Sequence, residues 1–203
     1  MKVYQFRENQ DNFSYLILCE KTRAAAIIDP GLSVPNQVMQ LDLARLDLKY
    51  IINTHRHSDH TSGNSVVKKN FGGVIVASEP DGMHIHGVGK IVRDGEILVL
   101  GNIKLVFMLT PGHTPGGMCI MAGSEALFTV DCLFIGDCGR TDLPGGSDRE
   151  LFMTMERLKE LPDGLTVYPG HDYGPEPCDT LGNQKRNNKC LKANTLEAFS
   201  ALQ

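Results

Sequence analysis

Five of the seven histidines of this 203-residue chain lie in three short segments, each directly after a predicted β-strand. Residues 54–61 read Thr-His-Arg-His-Ser-Asp-His-Thr, and two later Pro-Gly turns lead into His113 and His171. A fourth predicted strand ends in an acid, Asp131. Imidazole and carboxylate groups are the side chains that bind zinc, iron and manganese. The pattern therefore predicts a metal centre whose ligands are far apart in the sequence.

The order of residues in the first segment indicates how the ligands could be divided between two ions. His55 and His57, two positions apart in a loop, can face one ion. Asp59 and His60 follow immediately and can face a second ion. Asp131 can bridge both ions, because a carboxylate has two oxygen atoms.

Each of these pieces has an ordinary structural explanation when it stands alone. We interpret a further His-x-His, His84-Ile85-His86, as a surface or rim segment, and Asp29 before Pro30-Gly31 as a turn-forming acid. A single Pro-Gly-His triplet indicates only a turn. The combination is far more specific, because chance would not place a ligand cluster and three more ligands at successive strand ends.

The elements that must position these residues are short apolar runs separated by turns, with a few segments of helical spacing. Strands are predicted over residues 2–6, 13–19, 24–29, 49–54, 74–77, 96–100, 103–110, 118–121, 126–130 and 165–168. Helices are predicted over residues 35–48, 62–70 and 148–161, and one or two helical pieces between residues 181 and 202. Strands followed by helices, twice over, indicate two packed sheets with helices outside.

Composition disfavours several classes of protein. The chain has 20 Lys and Arg against 24 Asp and Glu, and its net charge of −4 argues against nonspecific nucleic-acid binding. The longest apolar stretch, residues 97–109, contains Asn102 and Lys104, so we expect no membrane helix. The N-terminus lacks an apolar signal core, which predicts a cytoplasmic protein. The six cysteines form no Cys-x-x-Cys pair, and at least four are expected to be reduced core residues.

The His-x-His-x-Asp-His segment, followed by His113, Asp131 and His171, resembles the metallo-β-lactamase superfamily over nearly the whole chain. The resemblance implies an α/β fold, a four-layer αβ/βα sandwich of two mixed sheets flanked by helices, with the metals at one edge of the sheets. Residues 1–203 would form a single domain, in which residues 175–203 are a short helical tail.

The same resemblance assigns the ligands. It implies that one metal is held by His55, His57 and His113, that the other is held by Asp59, His60 and His171, and that Asp131 bridges them. Since every ligand position is filled, a metal-free member of the family is not expected.

Residues 128–146 and 167–173 narrow the resemblance to the glyoxalase II and persulfide dioxygenase branch. In the hydrolase, which is our leading hypothesis, two Zn²⁺ ions or a mixture of zinc, iron and manganese supply a hydroxide that attacks a thioester, with Asp59 and Asp131 as catalytic residues. In the dioxygenase, a single Fe²⁺ held by His55, His113 and Asp131 would oxidise glutathione persulfide. A non-catalytic metal-binding module is the third hypothesis.

The expected partner is a small thiol substrate such as a glutathione conjugate, and the family resemblance and the tail suggest four contacts for it. Arg140 could hold an anion or brace the loop by pairing with Asp142. Tyr173 follows His171 closely and is placed to touch a substrate. Lys185 and Arg186 belong to a basic run that could receive a glutathione carboxylate or could be a solvated helix face.

Two features set this chain apart within the branch. The chain ends soon after His171, so we expect the helical C-terminal domain of full-length glyoxalase II to be missing or reduced. Val130 stands where the family usually has Gly, and a β-branched residue there could shift the loop that presents Asp131. A homodimer is left open by the sequence.

Overall fold

The computed structural model describes residues 1–8, 11–41 and 46–203, which form twelve strands and eight helices. The strands are β1 Lys2–Glu8, β2 Asn12–Leu18, β3 Ala24–Ile28, β4 Asp47–Ile52, β5 Val74–Ser78, β6 Val88–Val92, β7 Ile97–Leu100, β8 Ile103–Leu109, β9 Met118–Ala122, β10 Ala126–Val130, β11 Thr166–Pro169 and β12 Asp179–Thr180. The helices are α1 Val34–Gln40, α2 Ser58–Thr61, α3 Asn64–Phe71, α4 Glu79–Gly82, α5 Asp148–Lys159, α6 Leu181–Asn187, α7 Lys189–Lys192 and α8 Leu196–Ser200.

The strands form two mixed sheets of six strands, one from each half of the chain. In the first sheet β1 to β6 lie in sequence order, and β3 to β6 run parallel to one another. The second sheet has the order β12-β11-β10-β9-β8-β7, in which β10 and β11 are parallel and the other neighbours antiparallel. The parallel pairs bring the carboxyl ends of several strands to one edge.

Apolar side chains fill the space between the two sheets. Tyr15 and Phe128 face each other there, with ring centroids 5.2 Å apart. The Tyr15 hydroxyl donates a hydrogen bond to the Pro169 carbonyl at 2.5 Å, which links β2 of the first sheet to the end of β11 in the second. This buried contact joins the sheets next to the edge where the predicted ligands lie.

Helices cover the outer faces of both sheets. The first sheet packs against α1 and α3, and the second packs against α5 to α8. In α5 the buried residues Leu151, Met155 and Leu158 follow helical spacing, and the Ser147 side chain caps the helix by accepting from the Glu150 amide. The resulting order of layers is the αβ/βα sandwich that the sequence resemblance implies, and the fold prediction is confirmed.

The ten predicted strands are all present, with ends that differ by one or two residues, but other predictions were wrong in extent. The helix expected over residues 35–48 ends at Gln40, and Leu48 belongs to β4, where it pairs with β3; residues 42–45 lie outside the described residues. The pattern missed two strands: β6, in which Gly89 and Lys90 interrupt the apolar residues, and the two-residue β12. The tail forms three short helices, since Asn188 and Ala193 have extended backbones between them.

No helix in the described parts of the chain combines the length and apolarity required to cross a membrane.

Val130 ends β10 with an unusual backbone conformation. Its φ is 42°, in the left-handed region that β-branched residues rarely adopt. The side chain is buried, and the pairing of β10 with β11 shifts register between Phe128 and Val130. The turn directs the next residue, Asp131, out of the β10–β11 pairing and toward the edge of the sandwich where the predicted ligands lie. The sequence analysis expected residue 130 to affect the loop that presents Asp131, and the left-handed backbone of Val130 gives a physical reason for that effect.

Replacing Val130 by Gly or by Ala should reverse the usual order of stability. Both changes remove the two buried methyl groups of Val130, and at an ordinary position the Ala variant is more stable than the Gly variant by roughly 0.4–1 kcal/mol. A left-handed conformation costs an L-residue roughly 1–2 kcal/mol and costs Gly almost nothing. We therefore expect the free energy of unfolding, measured by urea denaturation of metal-free protein, to be about 0.5–1 kcal/mol higher for Val130→Gly than for Val130→Ala.

The matched control lies on the same strand. Ala126 is buried in β10 and does not have a positive φ. Ala126→Gly should lower the free energy of unfolding, as Gly does in an ordinary strand. A Val130→Ala protein more stable than Val130→Gly would contradict the backbone argument.

Candidate functional site

The seven predicted ligands converge at the edge of the sandwich where four strands end. His55 and His57 follow β4, and α2 then carries Asp59 and His60. The other three come from the loop between β8 and β9, the turn after β10 and the turn after β11, and they are His113, Asp131 and His171. Paired strands thus bring together predicted ligands that are more than one hundred residues apart in the sequence.

Three histidines and one oxygen of Asp131 form the first group. His113 Nε2 lies 3.0 Å from His57 Nδ1 and 3.6 Å from Asp131 Oδ2. His55 Nε2 lies 3.9 Å from the same oxygen. One nitrogen from each of the three rings lies within 4.8 Å of the others, so all can point to a common centre.

The second group surrounds His60. Its Nε2 lies 3.3 Å from Asp59 Oδ2, 3.4 Å from His171 Nε2 and 3.4 Å from Asp131 Oδ1. His171 Nε2 in turn lies 3.2 Å from Asp131 Oδ2. Asp131 therefore contacts both groups, the position that a bridging carboxylate requires.

The residues present fit divalent cations. The buried atoms His55 Nε2 and Asp131 Oδ1 have no hydrogen-bond partner among the described residues. A buried polar atom without a partner costs about 1–3 kcal/mol, and ligation of a cation removes that cost. The first group offers three nitrogens and an oxygen, and the second offers two nitrogens and two oxygens. Such sets suit Zn²⁺, Fe²⁺ or Mn²⁺, and the assignment of each ligand stays a prediction.

Burial and charge set the protonation of these rings. Burial lowers the pKa of His55 well below its usual value, and nearby His60 adds to the shift. Burial also lowers the pKa of His57, with His113 contributing. Both rings are therefore neutral near pH 7, which is the form that donates a lone pair to a metal. His60 differs: burial disfavours its charge, but Asp131 and two further carboxylates outweigh burial and raise its pKa.

Asp29 orients His60, the residue at the centre of the second group. Its carboxylate is fully buried and accepts the Thr54 amide at 2.7 Å and the Thr54 hydroxyl at 2.5 Å. Oδ2 also lies 3.3 Å from His60 Nδ1, which leaves Nε2 of that ring facing the site. The sequence interpretation of Asp29 as a turn-forming acid was incomplete, since its positive φ of 47° fits a turn but its side chain also contacts the predicted ligand His60.

Two other supporting contacts were not predicted. The Asn12 side-chain amide donates to Asp59 Oδ2 at 3.0 Å. His113 Nδ1 lies 2.7 Å from the Arg140 carbonyl, so the backbone of Arg140 orients a predicted ligand. No sequence pattern marks Asn12, because a polar residue at the start of a strand is common.

A cavity of about 500 Å³ opens directly over the ligands, and its wall contains two of the four predicted substrate contacts. Tyr173 is exposed and stacks on His171, with ring centroids 4.9 Å apart. The Arg140 guanidinium also borders the cavity and forms a bidentate pair with Asp142 at 2.5 and 2.6 Å. The bracing role and the anion contact that the sequence left open are thus compatible.

Lys185 and Arg186, both in the described part of the chain, do not line this cavity. The Lys185 ammonium donates to the Leu161 carbonyl at 2.5 Å and pairs with Asp163 at 2.6 Å, which ties α6 to the turn after α5. In this position Lys185 supports the fold, and its role as a substrate contact stays a prediction. The exposed His84 and His86 border a different cavity, as the sequence interpretation expected.

Replacing Asp29 by Asn should weaken metal binding without touching a predicted ligand. The amide cannot accept from the Thr54 amide and hydroxyl and also face His60 Nδ1 with an acceptor. Loss of such a partner typically costs 10- to 100-fold in metal affinity. We expect a fall of that size, about 10- to 100-fold, in Zn²⁺ affinity in a competition titration against a coloured chelator. Asp47→Asn, an exposed acid paired with Lys49, is the matched control and should keep the original affinity.

Comparison with known proteins agrees with this geometry. The sequence profile of the metallo-beta-lactamase superfamily matches residues 10–171. The chain is 36% identical over 200 residues to a probable hydroxyacylglutathione hydrolase of Schizosaccharomyces pombe, covering 95% of this chain and 74% of that protein. It is 33% identical to a hydroxyacylglutathione hydrolase of Rhodospirillum rubrum, covering 97% and 76%.

Solved structures give the same result. The chain matches the crystal structure of ETHE1 from Myxococcus xanthus with a TM-score of 0.89 and 29% identity, covering 98% of this chain and 88% of that one. The strand order, the converging histidines and these matches agree over most of the chain. The chain belongs to the metallo-β-lactamase superfamily.

Proposed function

We propose that the chain is a metal-dependent hydrolase of the glyoxalase II type, which cleaves the thioester of a small acyl-thiol such as a hydroxyacylglutathione. One observation carries the proposal: two groups of donors share Asp131 at the floor of an open cavity. The relatives named hydroxyacylglutathione hydrolase support it, because their similarity extends over almost the whole chain.

Two divalent cations at these donors, either zinc or zinc mixed with iron or manganese, would supply a hydroxide near neutral pH and polarise the thioester carbonyl. The protein contributes the orientation of the attacking water. Asp59 reaches the cavity with one oxygen fixed by Asn12. Burial favours its neutral form, but His60 and Asn12 outweigh burial and lower its pKa, so the carboxylate is ionised and can accept a hydrogen bond from water.

The walls of the cavity suit a thioester with a polar tail. Phe134 and Leu143 supply apolar surface, and Phe134 packs edge-on against Tyr173 at 5.1 Å. Arg140 and Tyr173 supply polar groups at the same wall, and we assign them as substrate contacts. The leaving thiolate requires little help from an acid, because the pKa of an ordinary thiol is about 8.5.

The test is hydrolysis of S-lactoylglutathione by the zinc-loaded protein. Asp59→Asn removes the ionised acceptor, so we expect kcat to fall about 100-fold or more. Lys185→Ala is the matched control and should keep kcat and KM, because Lys185 lies outside the cavity wall. No turnover above that of free zinc in the original protein would contradict the proposal.

A mononuclear Fe²⁺ persulfide dioxygenase is the second candidate. The observation that favours it is that His55, His113 and Asp131, without any further ligand, form a two-histidine, one-carboxylate set. Metal content and oxygen uptake separate the two candidates. Two ions per chain with thioester hydrolysis support the hydrolase. One iron per chain with oxygen consumption on glutathione persulfide supports the dioxygenase, and neither activity would indicate a non-catalytic metal-binding module.

We also propose that residues 1–203 act as one domain that includes the tail over residues 175–203. Its support is burial: Leu181, Leu191 and Phe199 belong to the same apolar cluster as Leu127 and Val167 of the second sheet. The tail therefore covers the outer face of that sheet.

A further inference from the structure

Two cysteines that the proposed hydrolysis does not use lie together beside the cavity. Cys138 borders the cavity, and Cys190 of α7 lies fully buried behind it. Both are free thiols. Their sulfur atoms and a carboxylate oxygen of Asp137 all lie within 4.8 Å of one another.

The Asn188 side chain fixes the positions of the two cysteines relative to each other. Asn188 donates to the Phe134 carbonyl at 3.0 Å and to the Asp137 carbonyl at 2.8 Å. Its oxygen accepts from the Cys190 amide at 2.9 Å. The loop that carries Cys138 and the helix that carries Cys190 are therefore pinned to each other, so the contact between the thiols is part of the fold.

The two thiols differ in access, since only Cys138 borders the cavity, and in their hydrogen-bond partners. A hydrogen bond with Cys138 and burial raise the pKa of Cys190. The Gln203 side-chain amide donates to the Cys138 sulfur at 3.3 Å, whereas the Cys190 thiol donates to Asp137 Oδ1 at 3.5 Å. The Lys189 ammonium pairs with Asp137 at 2.8 Å and so offsets the negative charge that this carboxylate places beside both thiols. Cys138 is thus placed to attack and Cys190 to follow.

We propose that Cys138 and Cys190 form a thiol–disulfide exchange site in the cavity wall, which reacts with a small disulfide such as glutathione disulfide. The Cys138 thiolate attacks one sulfur, forms a mixed disulfide and releases one thiolate. Cys190 then loses its proton, attacks the Cys138 sulfur and expels the second thiolate, which closes an intrachain disulfide. The two cysteines lose two electrons and two protons, and the small disulfide becomes two thiols. This chemistry does not depend on the hydrolase proposal.

A second cysteine pair provides an internal comparison. Cys119 and Cys132 also lie close together, but Cys119 is fully buried between the sheet and α5. The Thr110 hydroxyl donates to the Cys119 sulfur at 3.4 Å. Neither Cys119 nor Cys132 borders the cavity over the predicted ligands. If proximity alone were sufficient, this pair would react as readily as Cys138 and Cys190.

The experiment treats the folded, full-length, freshly reduced protein with glutathione disulfide, alkylates the remaining thiols and maps the peptides by mass spectrometry. We expect a disulfide between Cys138 and Cys190 that dithiothreitol reverses, with Cys119 and Cys132 still alkylated. Cys190→Ser should stop at a mixed disulfide on Cys138. Cys178→Ser, a change at a half-buried cysteine outside the pair, should leave the Cys138–Cys190 disulfide unchanged.

Two results would overturn the proposal. One is a Cys138 that stays unmodified in the folded protein while it reacts in urea. The other is a glutathione adduct on Cys138 that Cys190 never resolves in the original protein. Both are read from covalent mass in the unsubstituted chain, so a misfolded variant or an absence of hydrolysis would not affect the conclusion.

Discussion

The buried Asp131 carboxylate and the imidazoles around it are the constraint on which the rest of the structure depends. His171 and His113 approach its Oδ2 at 3.2 and 3.6 Å, and His60 approaches Oδ1 at 3.4 Å. A buried anion is costly unless positive charge accompanies it. The surrounding charge lowers the pKa of Asp131 well below its usual range, although burial acts in the opposite direction. Cations held by the two donor groups would supply the compensation.

The backbone around Asp131 is shaped to permit this arrangement. Val130 takes a left-handed conformation that turns the chain out of β10. Gly170 of the neighbouring turn faces the carboxylate so closely that a Cβ there would lie 2.0 Å from Asp131 Oδ1. The left-handed backbone at Val130 and the absence of a side chain at Gly170 therefore both allow Asp131 and His171 to come into contact. The two sheets, covered by helices on their outer faces, hold these turns in place.

The C-terminal tail, residues 175–203, supports the loop that borders the cavity. Asn188, at the junction of α6 and α7, fixes the loop that contains Phe134, Asp137 and Cys138. Farther along that loop the Arg140 carbonyl faces His113 Nδ1. The last helices thus support the cavity wall and one predicted ligand, in addition to covering the second sheet. This connection explains why a cysteine of α7 can lie beside the cavity at all.

The sequence by itself determined which His and Asp residues follow the strands and in what order, because an apolar run that ends in His or Asp is a local pattern. Predictions from local patterns were wrong or incomplete where the partner of a residue is distant in the sequence. Leu48 has helical spacing but pairs with β3, and Asp29 looks like a turn residue until His60 lies against it. The contact between Asn12 and Asp59, the position of Lys185 away from the cavity and the meeting of Cys138 with Cys190 were decided only by the tertiary structure. Each depends on bringing together segments that no sequence period relates, and packing of the two sheets and the tail supplies that proximity.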